Sequence, residues 1–239
     1  MVVAIMQPYL FPYAGYYSLV HASERFVLYE GAQYRRGGLV NRNRLRSPPS
    51  AREPWWWFTL PLRRGKLTDA IADREVDADA YPRWRRKFFK RVAAVYDGAP
   101  QYAAASTLLA RVLPEDAPQF VADVAAASIT EVCAYLELAP RDRFRRSESV
   151  PYERGGDAER KVITMCSALG ATTYVNAPGG KTLYSPDAFA SRGIELRFLD
   201  AQPPPLTDYR PTLSILDALF YLTRQEANHV ISSYRLAPA

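Results

Sequence analysis

The first thirty residues constrain the fold more than any other stretch. Val2–Met6 is an apolar run of strand type, Gln7-Pro8 marks a turn, Pro12-Tyr13-Ala14-Gly15-Tyr16 leads into a helix over about Tyr13–Ala22, and "RFVLYE" is a second strand ending at Glu30. A β-α-β unit with so short a helix predicts the start of a parallel, Rossmann-like sheet. In open sheets of this kind, ligand sites form where strands end and helices begin. Gln7 and Tyr16 then stand at the mouth of a pocket, with Glu30 closing the second strand. A first strand and helix with ordinary core aromatics would carry the same letters.

The remaining text supports an α/β fold with a helical insertion. "GAQYRRGGLVNRNRLRS" reads as an extended, hairpin-like segment, "SPPSAREP" as a loop and "WWWFTLPL" as a strand by its β-propensity. Residues 82–138 turn helical. In "YPRWRRKFFKRVAAVYDG" the side chains Trp84, Phe88, Val92 and Val95 fall near one helix face, with a glycine stop behind them. "PRDRFRRSESVPYERGGD" predicts a polar, mobile connection. Asp157 can cap a helix running to Leu169, and "TTYVNA" and "IELRFLD" are strands flanking a glycine-rich turn and a helix. One or two helices close the chain. Val2–Met6, Phe26–Tyr29, Thr172–Asn176 and Ile194–Leu199 are therefore expected in one mainly parallel sheet, within a single domain.

Bulk properties narrow the function classes. The 239 residues are 48% hydrophobic and 23% charged, a globular balance. No apolar run approaches the roughly 18 residues of a membrane span. The N-terminus lacks a basic leader, and Gln7, Pro8, Pro12 and Gly15 interrupt its apolar stretch, so a cytoplasmic location is expected. Cys133 and Cys166 offer no metal-ligand spacing, and His21 and His229 are isolated, so no metal site is expected. A net charge of +6 favours an anionic partner, and a basic surface that merely keeps the protein soluble fits it too.

Four stretches could carry chemistry. Pro12–Tyr16 has the rhythm of the H-x-G-H nucleotidyltransferase signature, with tyrosines where histidines would stand. In "NRNRLR", extended backbone sends Asn41 and Asn43 one way and Arg42 and Arg44 the other. Arginines suit bidentate capture of phosphate or carboxylate, although alternate arginines also mark a solvated edge strand. "NAPGGKTLYS" lets the amides of Gly179 and Gly180 approach an anion beside Lys181, or is a turn feeding a helix capped by Ser185. Ser214 and Asp217 share a helix face, as a helix cap also would.

Read together, Met6-Gln7-Pro8, Pro12, Gly15-Tyr16, Asn41-Arg42-Asn43, Pro61-Leu62, Pro178-Gly179-Gly180, Leu183-Tyr184, and Ser214 with Asp217 resemble the WbqC-like family over residues 1 to about 222. Members of that family occur among bacterial genes for surface polysaccharides and specialised metabolites, some beside genes for aminoacylated amino sugars. The resemblance implies a biosynthetic enzyme that forms an amide between a carboxylate, such as an amino acid, and an amine on a sugar or metabolite. If ATP activates the carboxylate, Gly15, Gly179 and Gly180 would crowd its phosphates, and Arg42 and Lys181 would offset the developing charge. Gln7, Asn41 and Asn43 would orient the acceptor, with Tyr16, Tyr184 and Ser214 as further substrate contacts, and Glu30 or Asp217 would take the proton of the attacking amine. An acyl or aminoacyl group drawn from a carrier protein or a tRNA is a variant of the same chemistry. A non-catalytic module for a nucleotide sugar or nucleic acid is the alternative. Two departures stand out: Glu30 replaces a frequent aspartate, and Phe88 follows Lys87 where a histidine is frequent.

Overall fold

A computed structural model describes all residues from Met1 to Ala239. The chain opens with β1 (Val2–Met6), α1 (Ala14–Ala22) and β2 (Arg25–Leu28). A long crossover follows, holding the hairpin of β3 (Arg42–Arg46) and β4 (Trp55–Thr59) and then α2 (Tyr81–Tyr96), α3 (Tyr102–Val112) and α4 (Val121–Tyr135). The chain returns through β5 (Phe144–Arg146), α5 (Ala158–Ala168), β6 (Thr173–Asn176), α6 (Pro186–Ala190) and β7 (Glu195–Ala201). It closes with α7 (Ile215–Tyr221), α8 (Arg224–Ser232) and β8 (Tyr234–Pro238).

Six strands form one sheet in the order β5-β2-β1-β6-β7-β8. All pairings are parallel except that of β7 with β8. From β1 the chain works outward through β2 to β5, then crosses back to β6 and works outward the other way. The reversal lies between β1 and β6, the point where a parallel sheet opens a crevice at its carboxyl ends. The expected parallel set of four strands is present, and the helical insertion falls inside the β2-to-β5 crossover. No helix is long and apolar enough to cross a membrane.

β1 reads as a continuous apolar run because both of its faces are covered. Ala4 faces the larger core, with Tyr16, Tyr17 and Leu19 of α1. Val3 and Ile5 face the smaller one, with Met165 of α5 and Phe189 of α6. The α2 stripe serves the larger core too: Phe88 packs 5.0 Å from Phe58 between ring centroids, and Val92 is buried. Asp157 caps α5 by accepting from the Arg160 amide. Pro186 opens α6, where Ser185 makes no side-chain cap bond.

The segment expected as a mobile connection is corrected here. Phe144–Arg146 pairs with β2, Phe144 opposite Phe26, as an edge strand. Three residues with two arginines carry no periodic apolar signal, yet charge is what a sheet edge tolerates. The closing strand β8 went unanticipated for a similar reason. Tyr234–Pro238 alternates weakly, and it is held by pairing with β7 rather than by its own propensity.

Candidate functional site

The loop after β1 is sealed, not open. Phe11 is fully buried and has φ of 43°, a left-handed conformation that costs a non-glycine residue about 1–3 kcal/mol. Three elements hold it there. Its amide donates to Ser128 Oγ of α4 at 2.9 Å, and its carbonyl accepts from Asn43 Nδ2 of β3 and from Ser214 Oγ, each at 2.8 Å. Ser214 is also the N-cap of α7, and the next amide, that of Ile215, donates to the Pro12 carbonyl at 2.8 Å. Asn43 and Ser214, expected among substrate contacts, thus fasten the first loop to the hairpin and the last helices. Their capacity is largely consumed, since Asn43 Oδ1 accepts from the Arg44 amide.

Tyr16 is likewise buried, at 2% exposure, rather than at a pocket mouth. Its place in α1 points the ring at Phe26 of β2, 5.3 Å between centroids, and burial pushes its phenol pKa well up. Gly15 is covered by the Tyr13 ring, so phosphates have no open approach to it. Asp217 is wholly buried and engaged. Arg46 of β3 grips it with Nε to Oδ1 at 3.2 Å and Nη2 to Oδ2 at 3.1 Å, and the Tyr96 hydroxyl donates to Oδ1 at 2.7 Å. Burial, reinforced by that carboxylate, drives the Tyr96 phenol far above its usual range.

The sheet's carboxyl edge gathers a second group of residues. Gln7 leaves β1 exposed, beside the turn that follows β6. In that turn Gly179 is open, whereas a side chain at Gly180 would strike the Asn176 amide. Gly180 is therefore required by close packing. Tyr184 packs edge-on against Tyr174 and Phe189, 5.8 Å from each, and Lys181 is exposed. Further along the edge, a cavity of about 330 Å³ is lined by Glu30 together with Ser147, Tyr152, Arg154 and Lys161. Glu30 ion-pairs with Arg146 of β5, yet its burial pushes its pKa up to about 7.

Glu30 makes stability depend on pH with a defined sign. The folded chain keeps a proton that the unfolded carboxyl releases near its ordinary 4.5. The contribution is complete below that pH and is lost as pH rises toward about 7, because the folded state binds the extra proton only in that window. Urea unfolding should show stability falling across it, and Glu30→Gln should flatten the fall. An unchanged slope would mean that the ionised pair with Arg146 prevails in the folded protein.

A concavity of about 680 Å³ lies where the hairpin meets the segments on either side of it. Two Arg-Arg-Gly segments flank the hairpin, Arg35-Arg36-Gly37 before β3 and Arg63-Arg64-Gly65 after β4, and all of these residues but Arg35 line the concavity. Six cations line it and no carboxylate does: Arg36, Arg42, Arg63, Arg64, Lys66 and Arg74. Arg63 is drawn to Glu75 at 3.5 Å and Arg74 to Asp69 at 2.9 Å. The other four have no carboxylate partner. Asn41 forms part of the wall, its Oδ1 accepting from the Tyr34 hydroxyl at 2.9 Å and its Nδ2 donating to the Leu60 carbonyl at 2.7 Å. Arg42 is set by the carbonyls of Gly37 and Gly38, which accept from Nη2 and Nε. Clustered, uncompensated cations in a concavity concentrate anions there.

Residues 7–229 match the model of the WbqC-like protein family, a span that contains the sealed loop, the sheet edge from Gln7 onward and the whole basic cleft. The chain belongs to the WbqC-like family. A protein of Mycobacterium tuberculosis bearing the name uncharacterized protein Rv1507c is 24% identical over 226 residues, covering 91% of this chain and 92% of the relative. No solved structure matches the chain.

The expected site residues thus divide among three places. Asn41 and Arg42 join the basic cleft, while Gln7, Glu30, Gly179, Gly180, Lys181 and Tyr184 lie along the sheet edge. Asn43, Ser214, Asp217 and Tyr16 are interior, and Gly15 is part-buried beside them under the Tyr13 ring. The two clefts are joined by the segment Glu30–Tyr34, whose ends can be no more than about 14 Å apart. Arg36, Arg63, Arg64, Lys66 and Arg74 escaped the sequence reading. The twin Arg-Arg-Gly motif is a signal for Arg36, Arg63 and Arg64, but only the fold shows that the two segments face one cavity.

Proposed function

We propose that this WbqC-like protein is a biosynthetic enzyme that forms an amide between a carboxylate and an amine on a sugar or specialised metabolite, with the anionic part of the donor held in the Arg-Arg-Gly cleft. The observation that carries the reading is the set of four unpaired cations, Arg36, Arg42, Arg64 and Lys66, around one cavity without a carboxylate in its lining. Guanidinium forks match phosphate and carboxylate geometry. If ATP activates the donor, its phosphates fit these cations better than Gly15, which Tyr13 covers, or Gly180, which Asn176 crowds. The donor carboxylate would attack a phosphorus atom and expel pyrophosphate or ADP. The amine would then attack the acyl carbon, lose a proton and expel the phosphate or AMP. Glu30, with its pKa near neutrality, suits the role of proton acceptor for a substrate reaching from one cleft to the other. An acyl group borne by a carrier protein or tRNA would use the same cations as a dock.

Thermal-shift titration with ATP, inorganic pyrophosphate, amino acids and acylated carriers tests the reading, followed by an assay of phosphate or pyrophosphate release with each stabilising pair. A ligand at 100 times its dissociation constant should add about 2.7 kcal/mol of stability. Stabilisation that fades with added salt, together with amine-dependent turnover, is the expected result. Binding without turnover for any donor and amine would make the protein a non-catalytic module, and the absence of stabilisation by any anion would remove the cleft from the mechanism.

A further inference from the structure

The outer face of the β3–β4 hairpin carries a ladder of arginines and tryptophans. Strand pairing sets Arg44 opposite Trp57 and Arg46 opposite Trp55, while Arg42 lies opposite Thr59. The Arg42 guanidinium sits 4.3 Å from the centre of the Trp57 ring, and that of Arg44 sits 5.0 Å from Trp55 and 5.6 Å from Trp57. The two indoles meet edge-on at 5.7 Å, and Trp57 is 37% exposed. The alternate residues Trp56 and Phe58 are the ones that fill the core. The outward tryptophans are therefore not needed to close it.

This ladder joins two concavities. Arg42 and Thr59 belong to the basic cleft, and Thr59 and Trp57 also line an aromatic groove of about 260 Å³ with Trp84, Lys87 and Arg91. Neither concavity has a carboxylate in its wall. The result is one strip in which cations alternate with aromatic rings, Trp57 exposed and Trp55 and Trp84 part-buried. An anion without planar groups would engage the cations and leave the indoles idle. A duplex would hide its base faces. A single strand offers phosphates to the cations and bases to the aromatic and guanidinium planes.

We infer that this strip binds single-stranded nucleic acid, with its phosphates along the cleft and groove cations and its bases stacked against Trp57 and Trp55. The binding goes beyond amide formation and does not depend on it; if both hold, the strand would carry the acyl donor.

The test is fluorescence anisotropy at low salt with labelled RNA and DNA single strands of about 12 nucleotides, within the usual span of a stacking surface, read alongside intrinsic tryptophan fluorescence. A matched duplex and inorganic polyphosphate serve as comparators. Single strands should bind more tightly than the duplex, quench the tryptophans and lose affinity as salt rises. Replacing Trp55 and Trp57 together by alanine should weaken binding roughly tenfold or more, whereas Trp57→Phe should retain most of it. No binding of single strands by the unaltered protein overturns the inference. So does equal binding of strand, duplex and polyphosphate without quenching, which would show a purely ionic surface; both readouts hold even if the double variant fails to fold. Failure here alongside ATP-dependent turnover would leave the amide-forming reading intact, and binding here without turnover would do the reverse.

Discussion

Asp217→Ala is expected to lower the unfolding free energy by about 3–5 kcal/mol, the usual cost of removing one partner of a buried ion pair. The carboxylate is fully buried and accepts two bonds from Arg46 and one from Tyr96. Without it, Arg46 keeps the Asp208 carbonyl at 2.7 Å but no carboxylate nearer than that of Asp208, 3.7 Å away and half-exposed, and the Tyr96 hydroxyl loses its acceptor in the interior. The pair also ties the hairpin to α7, so local damage should spread to the sealed loop that Asn43 and Ser214 hold. Tyr96→Phe, which removes the bond the hydroxyl donates to Asp217 and the one it accepts from the Arg46 amide but leaves the ion pair in place, should cost less, about 1–3 kcal/mol. Urea midpoints of the two variants check the ranking. If Asp217→Ala kept its midpoint and lost only turnover, the carboxylate would be catalytic and its pairing with Arg46 incidental.

The second large effect is expected on binding. Arg42→Ala combined with Arg64→Ala should weaken anion binding by about 100-fold to 10,000-fold, since each charge-assisted hydrogen bond contributes about 1.5–3 kcal/mol. Stability should change little. Arg42 gives up two bonds to loop carbonyls and its place over Trp57, and Arg64 has no carboxylate partner to strand. Arg64 is exposed and Arg42 half-buried, and neither is part of a buried ion pair, so the loss is expected to be about 1 kcal/mol each. Isothermal titration with the anion found by thermal shift, at fixed salt, measures the loss. Unaltered affinity in a folded double variant would move the binding site elsewhere, with the sheet edge at Gln7 and Glu30 next in line.

The expected site residues were chosen by type, and type alone could not separate ligand contacts from fastenings. Asn41, just before β3, and Asn43, within it, lie two apart and look equivalent in sequence. The fold turns Asn43 onto the strained Phe11 carbonyl and Asn41 into the cleft wall. Ser214 and Asp217 lie three apart on one helix. The first caps that helix and grips the loop after β1, while the second neutralises an arginine from β3. Such roles depend on partners between about thirty and two hundred positions away, which no local pattern encodes.

What the sequence determined by itself was the class of fold. Buried strands such as Val2–Met6 are apolar on both faces, and their alternation with helices leaves parallel pairing as the ready way to cover them. The charge balance favoured an anionic partner without identifying one. The tertiary structure alone decided where the charge is concentrated. Arg36, Arg42, Arg64 and Lys66 are spread over thirty-one positions of chain, and each by itself is an ordinary solvated cation. Antiparallel pairing of β3 with β4 brings both Arg-Arg-Gly segments to the same end of the hairpin, and the shared cavity turns four separate charges into one field.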